Sequence, residues 1–99
     1  MTARDKSYEQ ATLLDLTEPI AAAAYIRAFL ELDSPVALLV ALRNVAQAHG
    51  MAEVARRADM GEKTLFKSLS QNGNPTISTL HKVLRAVGLR LSVTPEPPN

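Results

Sequence analysis

The sequence predicts an all-α domain, a bundle of four or five helices that carries a helix-turn-helix and ends in one short strand. Three observations carry that expectation. Apolar residues recur at i, i+3, i+4 and i+7 along most of the chain. Two of these segments, near residues 51–58 and 62–70, are short and separated by a tight break at Asp59-Met60-Gly61. Only after Gly88 does the period change to two, where Leu89, Leu91 and Val93 alternate with Arg90, Ser92 and Thr94.

Residues 1–16 show no firm period and read as a flexible arm. A helix is expected within 17–33, with Thr17 as N-cap and Pro19 in the first turn. Its inner stripe is Ala22, Tyr25, Ile26, Phe29 and Leu32. Ser34-Pro35 caps and opens a second helix that runs to His49 and stops at Gly50. Leu38, Leu39, Leu42, Val45 and Ala46 line one side of it and Val36 and Val40 another, so it is expected to be covered on both.

Met51, Val54, Ala55 and Ala58 then form one face of a two-turn helix. Leu65 and Leu69 define the inner face of the next, from about Glu62 to Ser70. Gln71-Asn72-Gly73-Asn74-Pro75 is a dense turn signal. Thr76 can cap a last helix whose expected inward residues are Ile77, Leu80, Val83, Leu84 and Val87, with Gly88 as its stop. The chain thus divides into an arm (1–16), an N-terminal helix (17–33), a helix-turn-helix domain (34–88), a strand (89–94) and a proline-rich tail (95–99).

Composition narrows the function. No cysteine is present among the 99 residues, which removes disulfides, thiol catalysis and cysteine-based zinc sites. The longest uncharged apolar runs, Ile20–Ile26 and Val36–Leu42, are far shorter than the roughly 20 residues of a membrane span. The charged N-terminus does not lead into an apolar segment, so no secretory signal is visible and a cytoplasmic protein is expected. The net charge of +1 hides an asymmetry. Residues 1–33 carry three basic and six acidic side chains, whereas 34–99 carry eight basic and four acidic. Such polarity fits a polyanion partner for one half and a different role for the other, and equally a plain solvated surface.

Two short helices joined by a break, the second basic on its outside, form a helix-turn-helix pattern. Ala55 must be small where the helices cross, Met60 fills the gap after the turn, and Leu65 and Leu69 anchor the second helix. Its N-terminal residues are then free to reach base edges.

Residues 34–80 resemble a helix-turn-helix domain of the Xre or phage-repressor type, with a lambda-repressor-like fold. More closely, 36–95 resemble the HigA-like addiction module antidote antitoxins. The likeness is carried by Leu42-Arg43-Asn44-Val45-Ala46 with His49-Gly50-Met51, by Leu65-Phe66-Lys67-Ser68-Leu69-Ser70, and by Gly73-Asn74-Pro75-Thr76. It continues from Lys82 through Val93, and Ala24-Tyr25-Ile26 looks like that family's N-terminal helix, so about residues 18–95 are covered. The family's usual turn glycine falls at Asp59 and its usual serine at Gly61. Aspartate enters the left-handed region more easily than most residues, and glycine is an allowed N-cap. Glu62-Lys63-Thr64 also depart from the common pattern, which leaves the operator sequence open.

The resemblance favours base or phosphate contact by Lys63, Thr64, Lys67 and Ser68 on the second helix of the motif. Glu62 can accept from a cytosine amine, or simply complement the helix dipole. Asn74 and Thr76, at the start of the last helix, suit a DNA phosphate as well as plain capping. Arg43, Arg56 and Arg57 are further phosphate candidates, each equally explained as solvated. Phe66 reads as a partly buried packing residue.

Catalysis is not expected. His49 and His81 are the only histidines and lack zinc-protease spacing, and no phosphate-binding glycine loop or nucleophile elbow is present. No cofactor or metal is implied. The resemblance implies an antitoxin that represses its own operon through operator DNA and neutralises a RelE- or HigB-like ribonuclease toxin. The alternatives are a free-standing phage-type repressor and an interaction module without DNA binding. A homodimer is expected, because a lone strand at 89–94 would need a partner; Leu89, Leu91 and Val93 are its expected contacts.

Overall fold

The computed structural model describes residues 16–98, and among them the chain forms five α-helices. These are α1 (Pro19–Leu30), α2 (Pro35–His49), α3 (Met51–Arg57), α4 (Glu62–Ser68) and α5 (Ile77–Ala86). Helix α1 packs on α2, α2 on α3, and α3 on both α4 and α5. The core lies among them and is aliphatic, with Leu65, Leu69, Val45, Val54 and Val83 its largest fully buried side chains.

The expected arm falls almost wholly outside the described residues. Its last residue, Leu16, is buried in the core. The cap of α1 is Glu18 and not Thr17: the Glu18 carboxylate accepts from the Ala21 N–H at 3.0 Å. The helix stops at Leu30, and Asp33 takes a left-handed φ of 53° that redirects the chain. Leu32 therefore lies beyond the last helical turn and is exposed, not part of the inner stripe. Tyr25 and Phe29 pack together, ring centroids 4.8 Å apart, and the Asn44 amide of α2 donates to the Tyr25 hydroxyl at 2.8 Å.

Ser34 and Pro35 open α2 as the sequence predicts, the Ser34 hydroxyl accepting from the Ala37 N–H at 3.2 Å. One side of α2 is buried through Leu39, Leu42, Val45 and Ala46. The other is open where Val36 is exposed, so the helix is covered on one side only along its first turn. Met51, Val54, Ala55 and Ala58 are all buried.

Helix α3 ends in a paired cap. The Met60 N–H reaches the Ala55 carbonyl at 3.0 Å and the Asp59 N–H the Arg56 carbonyl at 3.2 Å, with Asp59 left-handed at φ 56°. The same device ends α5: Leu89 N–H to Leu84 carbonyl at 2.7 Å, Gly88 N–H to Arg85 carbonyl at 3.1 Å, and Gly88 at φ 86°. A side chain at Gly88 would be strained by that φ and would press on Pro19 of α1.

Two expectations at the C-terminal end are corrected. Ile77, expected inward, is 71% exposed, since it occupies the first position of α5 ahead of the turn that meets the core. Residues 89–94 are not a strand, and no strand exists among the described residues. A strand needs a ladder, and here the Leu89 N–H is already engaged in the α5 cap. Leu89 packs against the core, and with Arg90, Leu91, Ser92 and Thr94 it walls a cleft of about 360 Å³ against α1, α2 and α5.

Candidate nucleic-acid interface

The chain between α3 and α4 turns within Ala58, Asp59, Met60 and Gly61. The Asp59 cap fixes its direction, and Met60 packs against the core between the two helices. Leu65 and Leu69, both fully buried, hold one side of α4 down. Glu62, Lys63, Thr64, Phe66 and Lys67 are exposed on its remaining surface, and Ser68 is half-buried. Glu62, Lys63, Phe66, Lys67 and Ser70 together line one shallow concavity.

The far end of α4 is braced from two directions. The Arg43 guanidinium of α2 donates through Nη1 to the carbonyl of Leu69, the capping residue of α4, at 2.9 Å. Gly73 lies so close beneath α4 that a Cβ there would stand 2.1 Å from the Ser68 carbonyl oxygen. Arg43 is thus engaged inside the protein, and no sequence pattern announced that role.

Arg56 and Arg57 sit at the end of α3 and share one carboxylate. Glu53 accepts from Arg56 Nε at 3.1 Å and from Arg57 Nε at 2.8 Å. Hydrogen bonds from Arg56, then Arg57, hold the Glu53 carboxyl down at about 2. Arg57 also donates to the Ala86 carbonyl at 3.2 Å, tying α3 to the end of α5. Both arginines remain exposed, but their guanidinium charge is partly matched already.

Asn74 and Thr76 are exposed before α5, where the Thr76 hydroxyl accepts from the Thr79 N–H at 3.1 Å. The capping role is therefore filled from within the chain. His49, at the end of α2, keeps a buried Nε2 without a hydrogen-bond partner among the described residues. Burial, and then the Arg57 charge, push its pKa below the usual histidine value.

Among the described residues, no group of three or more His, Asp or Glu side chains is arranged to hold a metal ion. No helix among the described residues is long and apolar enough to cross a membrane. The exposed face of α4 carries two ammonium groups, a carboxylate, a hydroxyl and an aromatic ring, a mixed array with a net positive charge.

A family described as "Probable addiction module antidote protein" matches residues 4–95. An uncharacterized protein of Haemophilus influenzae is 36% identical over 93 residues, covering 94% of each chain. No solved structure matches the chain.

Proposed function

Since this chain belongs to the addiction module antidote family, we propose that it is an antitoxin that also binds operator DNA through α3, the Asp59 turn and α4 acting as a helix-turn-helix. The observation that carries the DNA half is the state of Lys63, Thr64 and Lys67. All three are exposed on α4, and none has a side-chain hydrogen bond or ion pair among the described residues. Two like charges at i and i+4 repel weakly, an arrangement that an anion between them relieves.

In this reading the N-terminal end of α4 enters the major groove. Lys63 and Thr64 meet base edges or phosphate, and Lys67 and Ser68 follow along the groove. Glu62 accepts from a cytosine amine. The α5 N-terminus, with Asn74 and Thr76, lies against a phosphate, and Arg56 and Arg57 add charge beside it. Arg43 contributes by bracing α4 through Leu69.

The toxin half rests on the opposite chemistry. Glu18, Glu31 and Asp33 are exposed around α1, where Ile20, Leu30 and Leu32 are exposed as well. An acidic surface with apolar anchors suits a basic partner such as a RelE- or HigB-like ribonuclease. A second copy of the chain would use the tail, where Val93 is 94% exposed and Leu91 stands beside the cleft.

The test is a gel shift on duplex DNA from upstream of the protein's own reading frame, together with co-expression beside the adjacent reading frame's product. A specific shift and rescue of growth support both halves. No shift on that DNA removes the operator half, and no rescue removes the toxin half.

A further inference from the structure

We propose that Phe66 is a specificity-determining residue of the DNA interface, its ring packing against the C5-methyl group of a thymine in the major groove. The proposal rests on the reading that α4 enters that groove.

Phe66 does not serve the core. Leu65 and Leu69, both with no exposed surface, already anchor α4, while Phe66 is 47% exposed. The other phenylalanine of the chain, Phe29, is partly buried and rests on Tyr25. The Phe66 ring shares its concavity with the side chains of Glu62, Lys63, Lys67 and Ser70. It is an apolar group set among two ammonium groups and one carboxylate.

The charge around it selects the occupant. Lys63 and Lys67 outweigh the Glu62 carboxylate beside them, so the net positive balance disfavours a basic protein surface. A DNA groove offers an apolar group framed by phosphates, and the thymine methyl is the apolar feature of the major-groove edge, a known mate for phenylalanine. The geometry is fixed well enough to discriminate. The Arg43 bond to Leu69 and the close approach of Gly73 to Ser68 hold the end of α4, and the Ser70 hydroxyl donates to the Lys67 carbonyl at 2.8 Å.

The experiment begins with a footprint on duplex DNA from upstream of the reading frame. Each thymine within the footprint is then replaced by deoxyuridine, which removes only the methyl group. At one or two positions wild-type protein should lose about fourfold in affinity, the worth of one buried methyl. Phe66→Ala should bind more weakly and be indifferent to the same replacements, and Phe66→Leu should keep part of the sensitivity. Unfolding curves of both variants establish that each is folded at the temperature of the binding measurement, as expected when the buried anchors Leu65 and Leu69 are untouched. Equal deoxyuridine penalties for wild type and Phe66→Ala would overturn the assignment while leaving DNA binding intact. So would a Phe66→Ala protein that keeps operator affinity and loses a protein partner. Absence of any footprint would overturn the DNA reading itself, and this assignment with it.

Discussion

The Arg43 guanidinium bridges 26 positions of sequence to donate a 2.9 Å hydrogen bond to the carbonyl of Leu69, the residue that caps α4. Helix α2 therefore holds the end of the segment that carries Lys63, Phe66 and Lys67. A charged donor to a backbone carbonyl contributes about 1.5–3 kcal/mol when sheltered, and this half-buried one about 1–2. Arg43→Ala should lower stability by that amount in urea titrations. Operator affinity should fall with an unchanged salt slope, since a brace neutralises no phosphate. A slope shallower by about one unit would make Arg43 a phosphate contact instead.

Gly73 cannot become alanine without a backbone shift in its turn or in α4. The added Cβ would meet the Ser68 carbonyl oxygen at 2.1 Å, and backbone cannot swing aside as a flexible side chain would. Gly73→Ala should cost about 1–3 kcal/mol in thermal unfolding. Ala23→Gly, on half-buried α1 surface, should cost no more than about 1 kcal/mol and serves as the comparison.

Acid stability should carry the mark of Glu53. Its folded pKa of about 2 lies below the ordinary 4.5, so the folded chain gives up that proton at a lower pH than the unfolded chain. The stabilisation is complete above about 4.5 and is lost as pH falls from there toward 2. Glu53→Gln should flatten that part of the stability profile. His49 acts in a higher window. Its lowered pKa means that the unfolded chain takes the proton first, so stability should also slip as pH falls below the ordinary 6.5.

Much of this fold is legible in the sequence, and the exceptions share a cause. Ser34-Pro35, the buried set of Met51, Val54, Ala55 and Ala58, and the left-handed Asp59 follow from spacing and local backbone chemistry. Period says which residues share a face; it does not say how far a face extends before its neighbour ends. Leu32 and Ile77 lie just past that limit and are exposed. Thr17 is the cap that residue preference selects, whereas the turn geometry gives that role to its neighbour Glu18. The alternation at 89–93 reads as a strand because period two cannot report whether a ladder partner exists. At the candidate interface, Lys63, Thr64 and Lys67 are readable as an outer stripe. The Arg43 brace joins residues too distant in sequence for any local pattern.

The exposed acids that flank α1, Glu18, Glu31 and Asp33, should serve the toxin and not the DNA. Deleting residues 1–15, which spares the buried Leu16, should leave operator affinity nearly unchanged and weaken neutralisation. Leu30→Glu with Leu32→Glu should have the same selectivity, because both side chains are exposed and neither supports the core. Growth rescue in cells expressing the adjacent reading frame is the readout. Full rescue by both variants at wild-type dose would free α1 and the preceding residues from any part in toxin binding.

The central claim is that α4 reads DNA, and its most direct measurement is a salt titration of operator binding. Wild-type protein and the Lys63→Ala, Thr64→Ala, Lys67→Ala triple variant are compared on DNA from upstream of the reading frame. All three side chains are exposed, so the triple variant should unfold like the wild type. The triple variant should lose at least tenfold in affinity for that site, as one lost base contact is worth about 1–3 kcal/mol. Its salt slope should fall by about one unit for each lysine that meets a phosphate. Wild-type affinity and slope in the triple variant would contradict the placement of α4 on DNA.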